Sequence, residues 1–257
     1  NGSIVKPGFN PLGAQTSTLA YNLLSWGDND LGPLGLGDVT NRSSPNAVGA
    51  LTTWSKLDGG KKYTLATKTD GTLWAWGRNT NGQLGLGNTT SYSSPKQVGA
   101  LTAWLAIASG YSSTLATKTD GTLWAWGANS LGQLGLGDTA DRSSPTQVGA
   151  LTTWLRVAGG GYHTIATKTD GTLWVWGRNN FGQLGLGNRT NYSSPKQVGA
   201  LTTWLQIAGG TYHTITTKTD GTLWTWGQGS SGKLGLGNIT NYSSPKQVGA
   251  LTTWLKI

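Results

Sequence analysis

One octapeptide, Asp120-Gly-Thr-Leu-Trp-Ala-Trp-Gly127, returns at Asp70, Asp170 and Asp220 at intervals of 50 residues with almost no change. A unit of that length cannot bury its apolar faces alone, so the fold has to come from stacking neighbours. Three further registers extend the copy. Trp26, Trp76, Trp126, Trp176 and Trp226 share one, and Trp54, Trp104, Trp154, Trp204 and Trp254 share another. Trp74, Trp124, Trp174 and Trp224 fill the third, which places all 14 tryptophans, with Leu24 standing there in the first copy. The 257 residues therefore read as five equal units in one body over residues 16–257, preceded by an irregular arm over residues 1–15 that holds Pro7, Gly8, Pro11 and Gly13.

Within a unit, Thr164 to Trp176 is two β-rich runs joined by Asp170-Gly171, a strong hairpin signal. In the second run Leu173 and Val175 point to one side while Trp174 and Trp176 point to the other. A sheet apolar on both faces must be sandwiched. Leu201 to Gly210 reads as an opening strand, and Lys196 to Gly199 as a short closing run after a glycine-rich excursion from Gly177 to Pro195. Three to four strands per unit, about 20 in all, is the count for an all-β propeller of five four-stranded blades. Gly60, Gly110, Gly160 and Gly210 are assigned to the crowded axis, where Asp58 and Ser109 break the small-residue pattern and imply looser packing. The last residues, Thr252 to Ile257, repeat an opening strand, and the first copy supplies a hairpin without one. Pairing the two ends would close the ring by strand exchange.

The formal charge of +9 is spread through the repeats, with Lys68, Lys118, Lys168 and Lys218 expected to form rings of surface charge. No compact basic stripe or groove-reading motif accompanies it, so nucleic acid is not an expected partner. No run is apolar enough for a spanning helix, and membrane insertion is not expected. There is no cysteine, which removes disulfides and thiolate metal sites, and no methionine, which implies a trimmed, processed or partial chain. Scarce charge with abundant Thr, Ser, Asn, Gly and Trp suits a virion or extracellular surface.

The succession Ala158-Gly-Gly-Gly-Tyr-His-Thr-Ile-Ala-Thr, Leu-Trp-Val-Trp-Gly and Asn179-Asn-Phe-Gly-Gln-Leu-Gly-Leu-Gly187 resembles the repeat of the regulator of chromosome condensation family, over essentially all of residues 16–257. The resemblance implies a β-propeller with four-stranded blades and terminal strand exchange. Family propellers usually have seven blades, so five units imply either a smaller ring or an incomplete arc. The founder is a guanine-nucleotide exchange factor with a basic chromatin-binding tail; no such tail stands in these residues. Near-identical repeats of this kind look like those of bacterial and phage proteins.

Chemistry-bearing groups are sparse. Four of the ten acidic residues, Asp70, Asp120, Asp170 and Asp220, sit in hairpin turns where geometry is their role. His163 and His213 lack a systematic Ser, Asp or Cys partner, so no catalytic or metal site and no cofactor is expected. Gly82 with Gly85-Leu-Gly87 lacks the Lys-Ser/Thr and the helix of a phosphate loop. The tryptophans are assigned to the core, since burying each removes about 150–250 Å² from water. Contact residues are sought where the copies disagree: Tyr63, Tyr111, Tyr162, His163, Tyr212 and His213 in one stretch, Arg78, Arg178 and Phe181 in a second, and Tyr92, Tyr192 and Tyr242 in a third. The expected function is a non-enzymatic binding or structural module with a protein or glycan partner, such as another virion or surface protein. The alternative is a regulatory propeller acting as an exchange factor or enzyme inhibitor.

Overall fold

The computed structural model describes residues 22–50, 53–254 and 257. Its strands are β1 (Leu24–Gly27) and β2 (Arg42–Ala47), then four repeats of four. These are β3 (Trp54–Gly60), β4 (Tyr63–Lys68), β5 (Leu73–Gly77) and β6 (Tyr92–Gln97); β7 (Trp104–Ser109), β8 (Ser113–Lys118), β9 (Leu123–Gly127) and β10 (Arg142–Gln147); β11 (Trp154–Gly159), β12 (His163–Lys168), β13 (Leu173–Gly177) and β14 (Tyr192–Gln197); β15 (Trp204–Gly209), β16 (His213–Lys218), β17 (Leu223–Gly227) and β18 (Tyr242–Gln247). Each repeat is one antiparallel sheet in chain order, and β1 pairs with β2 in a fifth, two-stranded sheet among the described residues.

The closing strand is longer than the sequence suggests, because β14 begins at Tyr192 and carries Pro195 in its middle. A residue without an N–H is tolerated there because β14 is the outermost strand and has a partner on one side only. The Asp-Gly hairpins enclose three residues: Lys68 N donates to Thr72 O at 3.0 Å, and Gly71 sits at a φ of +79°. Asp70 caps the turn, accepting from the Thr72 amide at 2.9 Å and its hydroxyl at 2.6 Å, and that hydroxyl accepts from Trp74 Nε1 at 2.9 Å. The Thr72 contacts hold the Asp70 carboxyl below its ordinary pKa, and the same triad recurs at Asp120, Asp170 and Asp220.

The two-faced strands explain the core. Leu115, Leu123, Ala125 and Leu134 of one blade meet Trp154, Ala166 and Trp176 of the next, and three equivalent clusters fill the other seams. Trp76, Trp126, Trp176 and Trp226 are buried to 1% exposure or less. Each is worth about 4–6 kcal/mol of burial as an upper bound. Every indole of this set also donates to the preceding blade, Trp126 Nε1 to Gln83 O at 3.0 Å for example, where Thr114 Oγ1 donates at 2.7 Å. The Gly-Gln-Leu-Gly motif is thus a seam. A Cβ on Gly185 would fall 2.7 Å from Trp226 Nε1, and one on Gly32, Gly82, Gly132 or Gly182 would fall 2.5 Å from the Cα of the matching serine one blade on.

That interlock is made four times; at the fifth, among the described residues, Gly232 and Gly237 have nothing within 4 Å, and Gly235 meets only Val248. Closure is therefore not found among the described residues, where the last blade does not lock onto the first. The strand exchange expected to produce it, like the N-terminal arm, involves residues 1–21 and 255–256, which lie outside those described. Two other expectations are corrected. Asp58 and Ser109 do not loosen the axis, because Asp58 Oδ2 accepts from the Ser109 amide at 2.6 Å and its hydroxyl at 2.8 Å. The Lys rings are not free surface charge either. Lys168 Nζ lies 3.7 Å from the Trp174 ring centre, as Lys68 and Lys218 lie over Trp74 and Trp224, and burial lowers the pKa of all three.

Candidate functional site

Strand register decides which variable positions meet. In the fourth blade His163 pairs with Gly177, so the turn before β12 abuts the start of the loop after β13. Arg178 N donates to Tyr162 O at 3.0 Å, and Arg78, Ala128 and Gln228 donate to Lys62, Ser112 and Tyr212 in the same way. Two of the stretches where the copies disagree thereby form one rim, at the end of the blades opposite the Asp-Gly hairpins.

Adjacent turns of this rim are tied to each other by backbone. Lys61 N donates to Tyr111 O at 3.3 Å, Tyr111 N to Gly161 O at 3.2 Å, and Gly161 N to Gly210 O at 3.1 Å. They surround a cavity of about 480 Å³ lined largely by glycine backbone, with Lys61, Tyr111 and Thr211 at its edge. Tyr111 Oη and Thr211 Oγ1 lie 2.8 Å apart across two repeats.

From Tyr111 a row of aromatic rings continues. Tyr111 and Tyr162 meet edge to face at 5.1 Å, Tyr162 and Tyr212 are stacked at 6.2 Å, and Phe181 lies 5.2 Å from Tyr212. The Arg178 guanidinium sits among them, 4.9 Å from the Tyr212 centroid, 5.5 Å from Tyr162 and 5.9 Å from Phe181. Among the described residues its side chain has no carboxylate and no hydrogen-bond acceptor, and Nε is buried. Lys61 adds a second cation 5.6 Å from Tyr111.

The other sequence candidates stand elsewhere. Tyr63 and His163 are buried in blade seams, at 1% and 2% exposure, out of a partner's reach. Tyr63 Oη donates to Ser113 O at 2.6 Å, and burial pushes its pKa up. His163 Nε2 lies 2.9 Å from Thr214 Oγ1, whose own proton goes to Gln183 O at 2.8 Å, so Nε2 carries the histidine's hydrogen. Nδ1 is buried without a partner, and burial, with the charge of His213, takes the His163 pKa down to about 3. His213 is partly buried and lowered too, by burial and then by Lys233. Arg78 donates Nε to Thr80 Oγ1 at 2.9 Å and, among the described residues, sits over no aromatic ring.

Tyr92, Tyr192 and Tyr242 lie on outermost strands, each beneath a lysine, and do not join the aromatic row. Their alternation with arginine is a local exchange of partners. Asn188 and Asn238 donate to Tyr192 and Tyr242 hydroxyls at 3.2 Å, whereas Arg42 and Arg142 pair with Asp38 and Asp138 at 2.6 and 2.5 Å. Among the described residues no three His, Cys, Asp or Glu side chains gather as a metal site.

A model described as "Regulator of chromosome condensation (RCC1) repeat" matches residues 70–117, 120–167, 170–216 and 220–257. A second model of the same description matches residues 54–83, 104–133 and 155–183. No curated protein matches. Human WBSCR16 superposes with a TM-score of 0.78 at 22% identity over 89% of this chain and 62% of its own. Prp20p from Saccharomyces cerevisiae, described together with its binding to Gsp1p and histones, gives 0.79 at 22% identity over 90% of this chain and 60% of its own. The chain thus spans about three fifths of the length of these two solved structures. Those likenesses are of fold, but the repeat matches cover most of the chain in consecutive copies, and the protein belongs to the RCC1 repeat family.

Proposed function

We propose that the protein is a non-enzymatic binding module of a virion or extracellular surface, and that its contact face is the rim formed by the turns before β4, β8, β12 and β16. The observation that carries this reading is the gathering there of Tyr111, Tyr162, Tyr212, Phe181 and Arg178, drawn from two separate variable stretches. The opposite end repeats one Asp-Thr-Trp triad four times and offers nothing distinctive to select a partner. Partly exposed aromatic rings with a cation are the residues that dominate recognition surfaces. The partner is a protein or a glycan.

A glycan array and a panel of surface proteins probed with the intact chain test this, alongside Tyr162→Ser/Tyr212→Ser and, at the far end, Asp220→Asn. Loss of binding with the first and retention with the second is expected. Equal effects of both, or no ligand for the parent, would refute it. The alternative, a regulatory propeller, draws on what Prp20p is described as binding. Unchanged nucleotide release from a panel of small GTPases would remove the exchange-factor form of it.

A further inference from the structure

Resting on the rim as the contact face, we infer that its ligand is a carboxylated saccharide, with the acid group on Arg178 and sugar rings on Tyr162 and Tyr212. A guanidinium presents N–H donors in a planar fork that matches a carboxylate. Arg178 has spent none of them inside the protein among the described residues, although it is held by three aromatic rings and its Nε is buried. Nε is closed off by the surrounding rings, which fixes the plane of the fork, while the two Nη groups make no bond inside the protein among the described residues and are the donors left for a ligand carboxylate. A site that discriminates for acid needs no competing carboxylate. Asp28 and Asp30 lie toward the first blade, where Lys62 neutralises them at 3.9 and 2.5 Å, and Asp58 is committed to Ser109.

The choice of saccharide over acidic peptide comes from the surroundings. Tyr162 and Tyr212 stand 6.2 Å apart at an interplanar angle of 16°, successive platforms of the same orientation. The electron-rich faces of such rings attract the slightly positive C–H faces of sugars. Beside them the cavity of about 480 Å³ is lined by Gly59, Gly110, Gly160 and Gly210 among other glycines; the amides of Gly110, Gly160 and Gly210 are spent within their own turns, which leaves backbone carbonyls able to accept from hydroxyls and no large apolar side chain to hold a peptide side chain. Hydroxyl-rich ligands find partners on such a wall. Lys61, at the far end of the row, offers a place for a second acid group.

Isothermal titration of the intact chain with oligogalacturonate, its methyl-esterified form, sialyllactose and poly-glutamate tests the class. Binding of a free-acid saccharide, abolished by esterification and weakened on the order of ten- to a hundredfold by Arg178→Ala, supports the inference. Arg178→Lys keeps the charge but not the fork, and should recover only part of the loss. Equal affinity for poly-glutamate would overturn it in favour of plain charge attraction. If neither acid saccharide binds while another ligand is lost in Tyr162→Ser/Tyr212→Ser, the rim stands and the carboxylated class falls. If nothing binds and no rim variant has an effect, both fall. A melting curve of each variant matching the parent's excludes loss by unfolding.

Discussion

Replacing His163 by tyrosine should make the protein more resistant to acid, and the size of the effect follows from one buried ring. The register accepts tyrosine in the second blade, where Tyr63 reaches Ser113 O across the seam and packs on Gly60 of its own blade, as His163 packs on Gly160 of its own. An unfolded histidine titrates near pH 6.5, whereas His163 in the fold refuses a proton until about pH 3, because the ring is buried, with the charge of His213 adding to the cost, and Nδ1 has no acceptor there. Between those values the unfolded state binds more protons, so the neutral ring's full stabilisation holds above pH 6.5 and is lost as pH falls toward 3. The slope is about 1.4 kcal/mol per pH unit, which gives roughly 2.5–3 kcal/mol lost by pH 4.5. For a chain of this size that is ~5–10 °C of melting temperature. The other ionisable groups are common to both proteins, so the measured quantity is the difference in melting temperature between parent and His163→Tyr at pH 7.5 and at pH 4.5. A gap that widens by that amount in the variant's favour is expected. A gap independent of pH, or a His163 resonance with a midpoint near 6.5, would refute the reasoning.

Other consequences are direct. Gly185→Ala should cost about 2–4 kcal/mol in chemical denaturation, since it combines a φ of +69° with a contact at 2.7 Å to Trp226, whereas Gly235→Ala, at +67° with only Val248 at 3.5 Å, should cost about 1–2 kcal/mol. Equal costs would mean that the fifth seam is made in solution. Asp58→Ala strands the Ser109 amide and should destabilise by about 1–3 kcal/mol, while Asp58→Asn, which keeps an acceptor, should cost less. Trp176→Ala empties a seam and should cost about 3–5 kcal/mol, and Trp176→Phe less, chiefly the bond to Gln133 O seen as a loss in melting temperature.

The parts of this fold legible in sequence are those written into every copy. The hairpin follows from Asp-Gly, and the sandwiching follows from Leu173 and Val175 alternating with Trp174 and Trp176. What could not be read is whatever crosses between copies. Asp58 and Ser109 each look like a defect of its own repeat, and only the stacking of one axis turn on the next makes them partners. Arg178 and Tyr162 are 16 positions apart in sequence, and their meeting depends on the β12 to β13 register. Tyr63 and His163 stand at a position that varies between copies, so the sequence allows both a packed residue near the axis and a contact residue, and their burial at 1% and 2% exposure decides for packing. Lys68 reads as surface charge until Trp74 and Trp54 are seen beneath it.

The exchange between an Asn–Tyr pair and an Asp–Arg pair on the outer strands bears on how such a chain can change over generations. Altering the arginine alone gives up an ion pair, and altering the aspartate alone leaves an amide facing an unneutralised guanidinium, so a joint switch keeps a full partnership at every stage. Recopying a whole unit from a neighbour carries both members in one event, which fits five copies that hold one pair or the other and never a mixture.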